Sequence, residues 1–116
     1  MRYMLMHRLD QSDAAAWQPS PEFMAKMGAF MEEVSKAGVL LAAEGLTHPS
    51  AGAQTITVKN GQTTVVDGPF AEAKEVIGGF GILQVRDEAE AIEWGRRFAS
   101  MFDEVAVEVR RVSEFE

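Results

Sequence analysis

Residues Arg2 to Leu9 read RYMLMHRL, and the fold turns on how they are taken. Successive side chains of a strand point to opposite faces, so Tyr3, Leu5, His7 and Leu9 share one face and Met4 and Met6 the other. Period two with apolar groups on both faces predicts a strand covered on both sides. Whatever lies next in the chain must supply those covers.

The first cover is a helix. After the loop DQSDAAAWQPSP, Ser20 is a good N-cap and Pro21 suits the first helical position, where its missing N–H costs nothing. Phe23, Met27, Phe30, Met31 and Val34 then fall on one stripe at helical spacing, with Glu22, Lys26, Glu33 and Lys36 outside. Gly38 caps the end near Ala37. Val39 to Leu46 reads as a second strand, with Glu44 near its end.

TITVKNGQTTVV, Thr55 to Val66, is the plainest local signal: two β-rich runs around Asn60-Gly61, a pair that tolerates positive φ in a two-residue hairpin turn. A further strand spans about Val76 to Val85. Its Gly78, Gly79 and Gly81 predict a bulge or the close approach of another backbone. A second helix starts after Asp87, which with Glu90 makes an acidic capping box. Ala91, Ile92, Gly95, Phe98 and Ala99 form its buried stripe, and Glu93 and Arg97 are spaced to pair outside. EVAVEVRRV alternates as the last strand, with Val105, Val107 and Val109 on one face.

The order β-α-β-(hairpin)-β-α-β predicts an α+β, ferredoxin-like domain spanning residues 1–116, with both helices on one face of the sheet. Met4, Met6 and the Ile82 or Leu83 side then need another cover. A second copy, sheet against sheet, is the simplest, giving a dimeric α+β barrel with a cleft between helix, sheet and partner. The homodimer through the sheet face is therefore the expected assembly.

Bulk composition narrows the function classes. The chain has 116 residues, 47% of them hydrophobic and 25% charged, ordinary for a globular domain. Without cysteine there is no disulfide, thiolate zinc site or thiol nucleophile, which fits a cytoplasmic location. No apolar run approaches the ~18 residues of a membrane span. A net charge of −7 opposes nucleic-acid binding, and the basic pairs Arg96-Arg97 and Arg110-Arg111 are interleaved with glutamates.

The stretch DGPFAEAKE, Asp67 to Glu75, joins two strands. Asp67-Gly68 and Pro69 serve as a turn and helix start, with Phe70 anchoring it. The same loop also carries two carboxylates, Asp67 and Glu72, and the Lys74 ammonium, and loops on rigid scaffolds are where sites tend to lie.

The run VVDGPFAEAKEVIGGF resembles the signature of the DGPF (DGPFAETKE) branch of the YCII-related family, with Ala73 where threonine is usual. MRYMLMHR, MGAFMEEVSKAGVLLAAEGLTHPSAG, DEAEAIEWGRRF and EVRRV extend the likeness over nearly the whole chain. The resemblance implies a ferredoxin-like fold, a dimeric α+β barrel, and a bacterial protein of largely unassigned function in a branch associated with extracytoplasmic-function sigma factors. Some members of the wider family resemble enzymes that pair a first-helix histidine with an aspartate. That histidine's place falls near Met27, and a thioether moves no proton at neutral pH.

The remaining candidates are few. His7 is a core or cleft histidine on the first strand; His48, in EGLTHPS, can approach the acidic stretch if its loop turns back over the sheet. Glu44 faces either a cleft or water. His7, Glu44, His48, Asp67 and Glu72 are metal-ligand types without diagnostic spacing, so no metal and no particular cofactor is assigned. The methionines, Met27 among them, fill the core or line an adaptable pocket. IGGFG lacks the GxGxxG pattern, and no serine sits on a nucleophile elbow.

The favoured reading is a small-molecule binding protein whose cleft is lined by His7, Met27, Glu44, Phe70, Glu72 and Lys74. As a minor enzyme, Asp67 would be the base and His48 or His7 its proton partner. The alternatives are a non-enzymatic regulatory module using the same surface and, from fold analogy alone, an oxygenase or isomerase.

Overall fold

The computed structural model describes residues 1–68 and 73–114. Six strands and two α-helices follow one another as β1 (Arg2–Asp10), α1 (Pro21–Lys36), β2 (Leu40–Gly45), β3 (Gln54–Lys59), β4 (Gln62–Asp67), β5 (Glu75–Gln84), α2 (Glu88–Ala99) and β6 (Ala106–Arg111). Four of the strands make one sheet in the order β2-β5-β1-β6, every pair antiparallel. This is the order the ferredoxin-like plan requires, and β1 sits inside it, between β5 and β6.

The ends of the elements follow from their sequence. Ser20 Oγ accepts the Phe23 N–H at 3.1 Å, opening α1, and Gly38 closes it in the left-handed region at φ +73°. Asp87 accepts the Glu90 N–H at 2.9 Å at the start of α2. The Glu90 carboxylate reaches back one residue further than in an ordinary capping box, to the Arg86 N–H at 2.8 Å. Asn60 and Gly61 both take positive φ, 51° and 77°, as the hairpin turn demands.

The core lies between the sheet and the helices. Tyr3, Leu5 and Leu83 from the sheet and Val85 just past β5 meet Val34 of α1 and Ala91 of α2, and Val39 belongs to the same cluster. Both helices therefore lie on the face of β1 that carries Tyr3, Leu5, His7 and Leu9. Gly95 is the point of closest approach for α2: a Cβ there would stand 3.2 Å from Val109 Cγ2.

Two expectations about local contacts change. Of the α1 stripe only Val34 is buried, while Phe23, Met27, Phe30 and Met31 are half-buried. Arg97 does not pair with Glu93, which instead takes Arg96 at 3.6 Å. Arg97 reaches across to Glu33 of α1, its guanidinium 4.8 Å from the Trp94 ring centre and 5.7 Å from that of Phe30. A planar cation stacked on two rings and ion-paired clamps the C-terminal half of α1 to α2. The N-terminal half has no such clamp.

The hairpin β3–β4 forms its own two-stranded sheet and makes no extensive packing contact with another element among the described residues. Its Ile56, Val58 and Val65 share a face and are each more than half exposed. The projection shows in the dimensions, 45 × 43 × 17 Å, and in a radius of gyration of 16.0 Å, against about 13 Å for a compact chain of this length.

Candidate functional site

The half-buried stripe of α1 and the sheet enclose a cleft of about 720 Å³. Phe23, Met27 and Phe30 form its helical wall, and Leu5, His7 and Leu83 its floor. Trp17, from a 3-10 turn at Ala14–Trp17, closes one side; Phe98 and Phe102, at the end of α2 and just beyond, close the other.

His7 is the polar centre of this apolar space. Its ring lies 5.4 Å from Phe98 and 5.5 Å from Phe102, and Phe102 in turn meets Phe23 at 4.9 Å. Among the described residues no protein group hydrogen-bonds either imidazole nitrogen, yet neither nitrogen is sealed from solvent. Burial pushes the pKa of His7 below its ordinary value of 6.5, so the ring is neutral at pH 7. A neutral imidazole offers one donor and one acceptor, and here both are unspent.

The seat for this ring is cut by glycine. The β1–β5 register slips between His7 and Arg8, leaving Gly78 as the extra residue of a bulge. A Cβ at Gly79 would stand 2.6 Å from His7 Cε1 and 2.8 Å from the Glu44 carbonyl oxygen. One at Gly78 would stand 3.1 Å from His7 Nε2 and 2.7 Å from Leu9 Cδ1. The bulge and close approach read from the IGGFG run are both present, and together they make room for His7.

The other histidine is fully used. His48 Nε2 donates to the Gln11 carbonyl at 2.8 Å, which fixes the tautomer, and Nδ1 accepts the Ser50 N–H at 3.0 Å. Its ring packs edge-on to Trp17 at 4.9 Å, and Trp17 Nε1 donates to the Asp10 carbonyl at 3.0 Å. His48 is thus a strut behind the Trp17 wall and does not line the cleft.

The structure does not bring the remaining sequence candidates together. Met27 lines the cleft with His7. Glu44 lies at its edge: its carbonyl abuts Gly79, while the register with Phe80 puts its exposed side chain on the sheet's other face. Asp67 sits exposed at the end of β4, accepting from Gln54 Nε2 at 3.0 Å. Lys74 is exposed just before β5 and helps hold the Asp10 carboxyl below its ordinary value, a shift owed first to the Ser12 hydroxyl and N–H. Phe70 and Glu72 lie outside the described residues. Among the described residues no three His, Asp or Glu side chains converge to hold a metal, and no helix is long and apolar enough to cross a membrane.

Sequence reasoning did not single out Trp17, Phe23, Phe98 and Phe102 as site residues. The signal was available in part: Phe98 and Phe102 stand four apart where a helix ends, the spacing that puts two rings on one side.

Two comparisons bear on kinship. The family described as the YCII-related domain matches residues 1–116. An uncharacterized protein of Rhizobium meliloti (strain 1021) is 32% identical over 98 residues, covering 83% of this chain and 78% of that one.

Proposed function

The chain belongs to the YCII-related family, and from that premise we propose that it binds a small molecule in the cleft between α1 and the sheet. One observation carries the reading: an imidazole with no hydrogen-bond partner among the described residues faces an aromatic-walled cleft of about 720 Å³. An apolar cleft with one convergent polar group is the usual form of a ligand site. The likeness of the run Asp67 to Glu75 to the DGPF signature supports placing the chain in that branch of the family.

In the same reading a second copy covers the other face of the sheet. Met4, Met6, Phe80 and Ile82 share that face by register, none is fully buried, and α1 and α2 pack on the opposite face. Arg8, Arg110 and Glu108 place both signs of charge around this apolar centre, as a self-complementary twofold contact needs. A native mass twice that of the chain is expected, and Met6→Glu should return a monomer.

The acid–base alternative has less support. Asp67 is exposed, engaged by Gln54 and away from the cleft, so it has no reach to a substrate beside His7. Binding is tested by NMR titration with 2-phenylethanol, a neutral aromatic probe. Shifts should concentrate at His7, Trp17, Phe98 and Phe102, and Met27→Trp, which fills the cleft, should abolish them. Shifts confined to the hairpin, or none at millimolar probe, would remove the cleft from consideration.

A further inference from the structure

The walls and the rim of the cleft carry different information, and together they select a ligand charge. Among the described residues its mouth is lined by four exposed carboxylates, Asp13, Glu22, Asp103 and Glu104, against one ammonium, that of Lys26. All five side chains belong to exposed residues. Like-sign charge around a low-dielectric cleft concentrates ions of the opposite sign and repels its own. An anionic ligand is therefore disfavoured before it reaches the floor, the more so in a chain of net charge −7.

Inside, the rings of Phe23, Phe98 and Phe102 form a contiguous group with His7, at centre-to-centre separations of 4.9–5.5 Å. Aromatic faces attract cations through the ring quadrupole, most strongly where water is excluded. The unpartnered imidazole is an acceptor for an N–H. Gly78, itself part of the cleft lining, leaves the approach to Nε2 free of a methyl group.

Building on the small-molecule reading above, we propose that the cleft takes an organic cation: a primary amine, protonated in solution, on an aromatic or similarly bulky apolar body. The apolar body lies among the phenylalanine rings and Met27. The ammonium donates one N–H to His7, faces ring surface with another side, and is balanced over distance by the carboxylates of the mouth. Neutral alcohols satisfy the walls but draw nothing from the rim. Carboxylates are repelled by it.

The test is a calorimetric titration at pH 7.5 of three ligands with nearly the same body: 2-phenylethylamine, 2-phenylethanol and 3-phenylpropionate. The amine should bind about tenfold or more tighter than the alcohol, and the acid should bind more weakly than either. Raising the salt from low ionic strength to 0.5 M should shrink the amine's advantage. The exposed double change Asp103→Asn, Glu104→Gln should lower the amine-to-alcohol ratio severalfold. Equal or stronger binding of the alcohol, or a ratio untouched by the double change, overturns the cation assignment and leaves the cleft standing as a site. Failure of all three ligands to bind overturns both.

Discussion

His7 and His48 stand near the same cleft, each against aromatic rings, and their nitrogens have opposite fates. His48 spends both on the backbone of Gln11 and Ser50, and its ring props Trp17. His7 spends neither, and its rings Phe98 and Phe102 give it packing without polarity. The difference teaches how to tell a strut from a handle. A satisfied imidazole adds stability and specifies one local shape. One without a protein partner keeps its donor and acceptor for water, or for a ligand that displaces that water. Substitutions that reverse these fates are the sharpest way to break the comparison.

The largest effect is expected from Gly79→Ala. Its Cβ would meet both the His7 ring and the backbone oxygen of Glu44, and backbone cannot step aside as a flexible side chain can. Overpacking of this kind costs about 2–3 kcal/mol, read as a lowered urea midpoint. Gly78→Ala meets chiefly the tip of Leu9 and should cost about 1 kcal/mol or less by the same reasoning. It should nonetheless weaken binding of 2-phenylethanol, because the new methyl stands before Nε2. Equal stability losses at the two glycines would contradict the geometry of the seat.

His48→Ala comes next. It removes the hydrogen bonds of His48 with Gln11 and Ser50 in a partly solvated corner, and with them the support of Trp17. A loss of about 1–2 kcal/mol is expected, together with a red shift of tryptophan fluorescence as the wall loosens. His7→Leu, by contrast, should leave stability within about 1 kcal/mol of the parent or raise it, while removing the cleft's polar group. If His7→Leu proved the more damaging of the two, the handle would be a strut after all.

Arg97→Ala should cost about 1 kcal/mol, since its ion pair with Glu33 is nearly half exposed and worth little, and most of the loss comes from the two ring contacts. The clamp on α1 loosens with it, so amide exchange should rise over residues 30–36 before it rises in the sheet.

How much of this was legible in the sequence depends on the range of the interaction. Caps, turns and alternation are local, so Ser20, Asp87, Asn60-Gly61 and the two-faced RYMLMHRL run could be read directly, and the α+β plan with both helices on one face followed from the element order. The glycines of β5 announced a close approach but not of what, because the answer lay across the sheet in His7 and Glu44. The site was harder. Its walls come from a loop, two helices and a strand far apart in sequence, and side-chain partners such as Arg97 with Glu33 obey no spacing rule. The acidic turn drew attention to Asp67 because charges on a loop are conspicuous, whereas the aromatic rings of the cleft look like ordinary core until the fold sets them around an unpartnered imidazole.

The smallest effect is also the most specific to the comparison. Burial holds His7 below 6.5 in the folded chain, while the unfolded chain titrates near that value. Between the two the unfolded state carries a proton that the folded state refuses, so stability is full above about pH 7 and declines as the pH falls through 6.5 toward the folded value. The groups facing His7 do not mask this: Phe98 and Phe102 on the α2 side, Val107 across β6 and the glycines of β5 do not titrate, and Asp103, Glu104, Glu22 and Lys26 stand at the exposed mouth. The carboxyls lowered by their partners, Asp10 through Ser12, Glu90 through the Arg86 N–H and Glu114 through Arg2, act at lower pH. Their contributions are present above their ordinary values of 3.8 and 4.5 and are lost only as the pH falls further. Urea midpoints at pH 7.5, 6.5 and 5.5 should therefore drop for the parent and stay level for His7→Leu. Parallel declines would mean that the fold does not hold the His7 ring below its ordinary value, and the partly desolvated seat described for it would be gone.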